Sequence, residues 1–276
     1  MMIPIGGRKI NRVLQERFGE LAEDHIESRT GDITREYIDP ITGHFGTIDG
    51  LSAVEIGTGW VPILPVALGL QGATCWTCDV VRHLDSATTL DTIRRVAQVL
   101  GRSDAVPPDL SDELAVCPVA DILRRVGVNY EAPTDTTRLP IASETQDVTV
   151  SRAVLQMIPP VALRPVLAEL YRVTKPGGLS IHKVHLHDEY TQGDPGVTLI
   201  NFLKYPDWVW DNFGNNDIKY INRARFPDYI RTIESVGFRV VEFLEHVIDE
   251  RAVEALDSGQ LVVDREFRRY THEELA

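Results

Sequence analysis

The chain reads Val54-Glu55-Ile56-Gly57-Thr58-Gly59-Trp60 at the point that decides its fold. An apolar run here ends in an acidic residue and two glycines, which is the pattern of a strand that turns sharply into a helix. It predicts a buried strand over 51–56 and a helix over 63–70, with Pro62 in the first helical turn. Because glycine lets the backbone approach a ligand closely, the turn is typical of nucleotide binding.

A second predicted strand, over 73–78, is followed at once by Asp79. A carboxylate about twenty residues beyond the glycines is placed to accept hydrogen bonds from both ribose hydroxyls of a nucleoside. Pro62 stands where a dinucleotide-binding fold carries its third glycine, so a pyrophosphate site is poorly supported. The pattern therefore favours a nucleoside without phosphates.

Further motifs follow in a definite order. They read Asp135-Thr136-Thr137-Arg138-Leu139-Pro140, Asp147-Val148-Thr149-Val150-Ser151-Arg152, Glu169-Leu170-Tyr171-Arg172-Val173-Thr174-Lys175-Pro176-Gly177-Gly178 and Leu179-Ser180-Ile181-His182. Over roughly residues 50–245, this order and spacing resemble the class I S-adenosylmethionine (SAM)-dependent methyltransferases. The resemblance implies an α/β fold with a Rossmann-like sheet flanked by helices, and SAM as the cofactor.

The resemblance also implies which residues hold SAM. In that family the glycine turn holds the methionine end, the acid after strand two holds the ribose, and the aspartate before Leu-Pro meets the adenine. The implied cofactor-binding residues are Glu55, Gly57, Thr58, Gly59, Asp79, Val80, Asp135, Thr136 and Ser151.

The rest of the chain divides into further predicted elements. Strands are predicted near 128–131 and over 148–151, 179–184 and 238–244, with a seventh strand only if 260–263 supplies it. Helices are predicted over 85–100, 109–127, 161–173 and 227–236. Helical periodicity over 8–28 predicts an N-terminal helical cap within 1–48 that lies across the cofactor opening, ahead of a SAM-binding domain over 49–276.

The segment over about 185–225, between predicted strands five and six, is dense in aromatic residues. They are Tyr190, Phe202, Tyr205, Trp208, Trp210, Phe213 and Tyr220. A segment of this length is either a substrate lid or a packed subdomain, and a lid is favoured because open α/β sheets bind ligands beyond the carboxyl ends of their strands.

Residues 178–238 also resemble a group of largely uncharacterised bacterial methyltransferases, many suspected in sugar or secondary-metabolite pathways. The matching residues are Asp188, Asn201-Phe202-Leu203, Asp207, Trp210, Asn222-Arg223, Arg225, Asp228 and Tyr229. The chain departs from that pattern at His185, Glu189 and Met157, so no family base is carried over to 157 or 189.

Ionisable side chains cluster after predicted strand five. His182, His185 and Asp188 are the candidate catalytic residues, as proton acceptors or orienting groups for the nucleophile. Tyr190, Asn222 and Arg223 are the candidate substrate-binding residues, although Arg223 and Arg225 could equally form salt bridges within the lid. His185, His187 and Asp188 could together bind a metal, but no fourth ligand is evident and no metal is expected.

Composition narrows the partners. The chain carries 41 acidic and 28 basic residues and has a net charge of −13. This composition does not provide the basic surface that a nucleic-acid enzyme needs. The sequence offers no apolar stretch long enough to span a membrane and no secretory h-region, so a cytoplasmic monomer or homodimer with a small-molecule substrate is expected. The Cys75-x-x-Cys78 pair lies within a predicted strand, which favours buried thiols over a redox or metal site.

The function implied is methyl transfer from SAM to an oxygen or nitrogen of a small molecule, in secondary or sugar metabolism. One alternative keeps SAM but cyclises it to azetidine-2-carboxylate with release of methylthioadenosine. Another is a catalytically silent SAM-binding module, against which the intact cofactor motifs argue.

Overall fold

The structure, a computed structural model, describes residues 25–188, 191, 196–215, 220–243 and 247–276. These residues form two compact units. The sheet unit contains the described residues up to 152 together with 169–182, and the C-terminal unit contains 153–168 and the described residues from 183 onward.

Five strands form the sheet in the spatial order β3-β2-β1-β4-β5. Their bounds are β1 Ser52–Ile56, β2 Thr74–Cys78, β3 Val128–Glu131, β4 Gln146–Arg152 and β5 Thr174–Lys183. β1 lies parallel to both β2 and β4, with Val54 opposite Trp76 on one side and Thr149 on the other. This order, with β1 central and the chain crossing to the other side after β3, confirms the predicted Rossmann-like sheet.

Helices cover the sheet within the same unit. They are α1 His25–Ile33, a π-helical turn Thr34–Ile38, α2 Asp39–Phe45, α3 Ile63–Leu70, α4 Ser86–Val99 and α5 Val119–Arg124, with 3-10 turns at Ser103–Ala105 and Asp112–Val116. α3 is apolar on every face, so nearly all of it is buried. α6, Pro160–Val173, leads back to β5.

Residues 25–48 contribute to the core of the sheet unit. Ile33 and Tyr37 are fully buried in the cluster that also contains residues of β1, α3 and α4. The predicted cap over 1–48 stays a prediction, because residues 1–24 lie outside the described residues.

The C-terminal unit has a separate hydrophobic core. Its elements are a 3-10 turn Leu155–Met157, most of α6, a 3-10 turn Asn201–Lys204, α7 Asp207–Val209, a π-helical turn Trp210–Gly214, α8 Phe226–Ser235, α9 Glu250–Asp257, a 3-10 turn Arg265–Arg269 and α10 His272–Leu275. Phe202 and Trp210 pack edge to face in the core, with ring centroids 5.5 Å apart. α8 ends at Ser235, two residues before Gly237. The φ angle of Gly237 is 115°, a value that residues with a side chain rarely adopt.

The prediction of a sixth strand over 238–244 is wrong. Residues 238–243 of the predicted sixth strand form no strand, and residues 244–246 lie outside the described part of the chain. The alternation of apolar and polar residues there suits a strand, but a strand exists only where a neighbour takes its backbone hydrogen bonds. Residues 260–263 are likewise not a strand.

The helix predicted over 109–127 is only partly correct. The chain forms a 3-10 turn at Asp112–Val116 and begins α5 at Val119. Pro118 separates the two pieces, because proline has no backbone N–H and forces the residue before it out of the helical region.

No helix within the described residues combines the length and apolar character that crossing a bilayer requires.

Candidate active site

The glycine turn after β1 is tied to the end of β2. Gly57 and Gly59 have φ angles of 80° and 71°, which a side chain would disfavour. The N–H groups of Gly57 and Thr58 both donate to the carbonyl of Cys78, at 2.8 and 3.2 Å. The turn therefore takes the shape that the glycine spacing predicted, at the carboxyl edge of the sheet.

Beneath the turn lies a buried chain of polar side chains. The Thr77 hydroxyl donates to the carboxylate of Glu55 at 2.5 Å, and it lies 2.6 Å from the hydroxyl of Thr58. Because the one Thr77 proton goes to Glu55, Thr58 is the donor in the second bond. Glu55 and Thr58 thus support the turn from inside the sheet unit, and both stay proposed as cofactor residues.

Asp79 links the turn to the neighbouring loops. Its carboxylate accepts the N–H of Gly59 at 3.1 Å and that of Val81 at 3.2 Å, and its carbonyl accepts the N–H of Thr134 at 2.9 Å. Burial raises the pKa of this carboxyl. A carboxylate has about four acceptor positions, so Asp79 can also accept from ribose hydroxyls, and it fits the predicted nucleoside.

The loop after β3 presents Asp135 and Thr136 beyond Thr134. Asp135 is exposed, and its carboxylate accepts from the hydroxyl and the N–H of Thr137 at 2.6 and 2.9 Å. These hydrogen bonds lower the pKa of Asp135. Val80, which follows Asp79, is 62% exposed. The structure thus brings the ends of β1, β2 and β3 together through the Gly59, Asp79 and Thr134 contacts.

A second polar chain crosses from β4 to β5. The Nδ1 atom of His182 lies 2.8 Å from the hydroxyl of Ser151, and its Nε2 atom lies 2.8 Å from the hydroxyl of Ser180. Ser180 continues to the hydroxyl of Thr149 at 2.8 Å. Burial lowers the pKa of His182 to about 4, so the imidazole is neutral at physiological pH.

Tyr37 also reaches this end of β4. Its hydroxyl donates to the carbonyl of Ser151 at 2.9 Å, and Glu36 pairs with Arg152 at 3.3 Å. These contacts hold the π-helical turn Thr34–Ile38 against the carboxyl end of β4. No local pattern in the sequence predicts these contacts, because the paired residues are more than one hundred positions apart.

The two cysteines of β2 are buried thiols, as predicted. Cys75 and Cys78 are both fully buried, and burial raises the pKa of each thiol. A thiolate is the form that ligates metals and attacks disulfides, so neither residue is prepared for that chemistry. Within the described residues, no group of three or more histidine, cysteine or acidic side chains could hold a metal ion.

The other predicted site residues lie in the C-terminal unit. The rings of His185 and His187 stack with centroids 5.1 Å apart. Asp188 is 3% exposed, and its N–H donates to the carbonyl of Leu199 at 2.5 Å. Tyr190 lies outside the described residues.

Asn222 and Arg223 are engaged inside this unit. The Asn222 amide nitrogen donates to the carbonyls of Leu155 and Ile158, both at 2.8 Å, and its oxygen accepts from the hydroxyl of Tyr229 and the N–H of Ala224. All four hydrogen-bonding positions of the amide are therefore used.

Arg223 donates to two backbone carbonyls, those of Phe202 and Tyr205, and pairs with Asp207. These contacts agree with the salt-bridge alternative for Arg223. Arg225, which is 1% exposed, donates to the carbonyls of Leu186 and Leu275.

Part of the chain is similar to a known family of domains. Residues 108–182 match the family model of a methyltransferase domain. No curated protein sequence matches the chain.

Similar solved structures include a proposed SAM-dependent methyltransferase of Methanococcus maripaludis, with 16% identity, 88% of this chain and 90% of that one covered, and a TM-score of 0.44. A SAM-dependent methyltransferase of Mesorhizobium loti has 14% identity and a TM-score of 0.42, with 82% of this chain and 90% of that one covered. An N-methyltransferase of Haemonchus contortus has 13% identity and a TM-score of 0.47, with 86% of this chain and 45% of that one covered.

The strand order and the glycine turn are those of the class I SAM-dependent methyltransferase fold, and the family match over residues 108–182 supports a methyltransferase-type enzyme. SAM is the cofactor that this domain indicates.

Proposed function

We propose that the chain transfers the methyl group of SAM to an oxygen or nitrogen of a small-molecule acceptor, in secondary or sugar metabolism. The observation that carries the proposal is the Asp79 carboxylate, which accepts the Gly59 N–H at 3.1 Å while its backbone carbonyl accepts from Thr134. One residue thereby joins the three loops that a bound nucleoside would contact.

Bound SAM supplies an electrophilic methyl carbon on a sulfonium. The residues of this chain then have to align the nucleophile with that carbon and keep water away, because alignment alone accounts for much of the acceleration of such displacements. Glu55, Gly57, Thr58, Gly59, Asp79, Val80, Asp135, Thr136 and Ser151 are the proposed cofactor-binding residues.

The three candidate catalytic residues have different proposed parts in removing a proton from the acceptor. His182 is neutral, but its pKa of about 4 makes it a weak base, and both ring nitrogens already contact serine hydroxyls. Its proposed part is therefore to orient the Ser151 hydroxyl, with Asp188 and His185 as the proposed proton acceptors. An amine acceptor needs no strong base, whereas a hydroxyl acceptor does.

The three proposed substrate-binding residues also have different proposed parts. Tyr190 stays a proposed binding residue. Asn222 and Arg223 also stay proposed, and because their hydrogen-bonding groups are occupied within the C-terminal unit, their proposed part is to hold the backbone of that unit.

The test is mass spectrometry of the nucleoside product. Purified protein is incubated with SAM alone and then with SAM and a metabolite extract, alongside the Asp79→Ala variant. We expect S-adenosylhomocysteine and a methylated metabolite only when extract is present, and less of both from the variant when SAM is not saturating.

Methylthioadenosine formed from SAM alone would contradict methyl transfer and point to cyclisation of SAM. Tight binding of SAM without any product in extracts of varied origin would favour a silent binding module.

A further inference from the structure

A cleft of about 440 Å³ opens at the amino-terminal edge of the sheet, the edge opposite to the glycine turn. It is bounded by the loop that leads from α2 into β1, by Gln71 after α3 and by Arg102 after α4. β1 and β2 are parallel, so the segments that enter them lie at the same edge. The space lined by Thr47, Asp49, Gln71 and Arg102 is the amino-edge cleft, and it belongs entirely to the sheet unit.

The Asp49 carboxylate is held at one wall of the cleft. The N–H of Asp49 donates to the hydroxyl of Thr47 at 3.1 Å, and the N–H of Gly50 donates to the carbonyl of Gly72 at 3.1 Å. A Cβ atom at Gly72 would lie 2.2 Å from Oδ1 of Asp49, so the carboxylate lies in space that a side chain would fill. Among residues 25–188, this carboxylate accepts no side-chain hydrogen bond and forms no ion pair.

The Arg102 guanidinium is held at another wall. Its Nη1 atom donates to Oε1 of Gln71 at 2.8 Å, and its backbone N–H donates to the carbonyl of Ala97 at 2.8 Å. The nearest carboxylate oxygen, of Asp104, lies 3.9 Å from Nε, which is too far for a hydrogen bond. The Nη2 atom has no hydrogen-bond partner in the described part of the sheet unit, so this arm of the guanidinium is available to a ligand.

The cleft therefore presents one cation and one anion that are not paired with each other. No ion pair joins Arg102 and Asp49 in the part of the chain that the structure describes, although both line the same cleft. Ile38 and Ile48, which are 6% and 5% exposed, add an apolar lining. An apolar lining with a few fixed polar groups, in a volume of about 300 to 1,000 Å³, is typical of small-molecule sites.

We propose that the amino-edge cleft binds a free α-amino acid with an apolar side chain. The carboxylate of the ligand pairs with Arg102, its ammonium pairs with Asp49, and its side chain contacts the two isoleucines. Asp49 would repel an anion that lacks an ammonium, and Arg102 would repel a cation that lacks a carboxylate. A neutral sugar would leave both charges without a counter-ion. The proposal is independent of methyl transfer, because the proposed cofactor turn lies at the other edge of the sheet.

The test is ligand-observed NMR titration with L-leucine, 4-methylpentanoate and 3-methylbutylamine. The second compound is leucine without its ammonium, and the third is leucine without its carboxylate. D-glucose represents neutral polar ligands. Each titration is made with S-adenosylhomocysteine in large excess, because the proposed cofactor site would itself accept an amino-acid group.

We expect wild type to bind leucine at least about tenfold more tightly than either analogue, since each analogue loses hydrogen bonds between charged groups. Glucose should bind more weakly than leucine. Absence of leucine binding, or its loss when S-adenosylhomocysteine is added, would overturn the proposal. An analogue that binds as tightly as leucine would contradict recognition of both charges, and tighter binding of glucose would identify a sugar site instead.

Two variants locate the binding in the cleft. Arg102→Gln should weaken leucine binding at least about tenfold without weakening that of 3-methylbutylamine, and Asp49→Asn should weaken leucine equally without weakening that of 4-methylpentanoate. Arg124→Gln on α5 and Asp91→Asn on α4 remove the same charges from exposed ion pairs, and these controls should match wild type.

The denaturation midpoints of all four variants should stay close to that of wild type, since the substituted side chains are not buried. Leucine affinity that is unchanged in both cleft variants would overturn the proposal even if wild type binds leucine. If wild type binds leucine as expected but does not bind S-adenosylhomocysteine, the proposed function alone is contradicted.

Discussion

At the end of the second strand, the Asp79 carboxylate contacts the backbone of the glycine turn at Gly59 and of its own loop at Val81. These bonds place the carboxylate at the loop edge before ligand binds, and burial raises its pKa. A ribose that replaced water at this carboxylate would meet acceptors already oriented toward it. In the proposed site, the Asp79 side chain would therefore connect the strength of SAM binding to the shape of the turn.

Asp79→Ala is expected to weaken SAM binding by about 1.5 to 3 kcal/mol, the contribution of hydrogen bonds to a charged group. Isothermal titration calorimetry measures the affinity, at a temperature where both proteins are folded. Asp91→Ala, an exposed aspartate paired with Arg95 on α4, is the control and should bind SAM as wild type does. Equal affinities for all three proteins would contradict the ribose assignment.

His182 should make the stability of the protein depend on pH. Its pKa in the folded state is about 4, below its ordinary value of 6.5, so the unfolded chain takes up a proton first as the pH falls. The stability that neutral His182 contributes is present above pH 6.5 and is lost as the pH falls toward 4.

Urea denaturation of wild type and His182→Asn at several pH values measures this effect. The stability difference between them should shrink by roughly 1 to 2 kcal/mol between pH 7.5 and pH 5.5, since asparagine does not titrate. Other groups titrate equally in both proteins and cancel in the difference. A difference independent of pH would mean that His182 is not held in its neutral form.

At the scale of elements, the aromatic segment after β5 combines the two alternatives that its sequence left open. Phe202 and Trp210 are buried in the core of the C-terminal unit, and the Trp210 indole N–H donates to the carbonyl of Ile221 at 3.0 Å. Trp208 and Phe213, by contrast, are 66% and 77% exposed. Part of the segment is thus a packed core, and the exposed aromatics are the part still proposed as a lid.

Two tryptophans of this segment, two positions apart, should differ sharply when replaced. Trp210→Ala should lower the free energy of unfolding by about 3 to 5 kcal/mol, because it removes a buried ring and a hydrogen bond. Trp208→Ala, the matched control, should change it by less than about 0.5 kcal/mol. Chemical denaturation followed by circular dichroism measures both, and similar losses for the two variants would show that Trp208 is packed as well.

At the scale of the whole molecule, charge decides which partners can approach. With 41 acidic and 28 basic residues, the chain has a net charge of −13, which opposes the approach of polyanions. In the described part of the C-terminal unit, the side chains of Arg223 and Arg225 are buried. Arg223 donates to a backbone carbonyl and pairs with Asp207, and Arg225 donates to a backbone carbonyl. Both findings favour a small acceptor over a nucleic acid.

Fluorescence anisotropy with a labelled DNA duplex and a labelled RNA hairpin tests this directly. We expect no binding to either at low or at physiological salt, since phosphate contacts from lysine and arginine supply most non-specific affinity. A basic protein of similar size serves as the positive control. Binding that weakens steeply with added salt would contradict the small-molecule assignment.

The sequence alone determined where strands β1 to β5 lie along the chain, the helix over Ile63–Leu70 and the conformation of the glycine turn. Each of these is specified locally, by apolar periodicity over a few residues or by glycine where a positive φ is needed. The residues at the carboxyl ends of the strands could be named because parallel strands bring those ends to one edge.

Only the tertiary structure decided what the polar side chains do there. The partners of His182 lie up to 31 positions away, and Asn222 holds carbonyls 64 and 67 positions away, at Ile158 and Leu155. No local pattern encodes such pairings, because a polar side chain has the same propensity whether its hydrogen bonds go to water, to the backbone or to nothing. For the same reason the alternation over 238–243 predicted a strand that does not form.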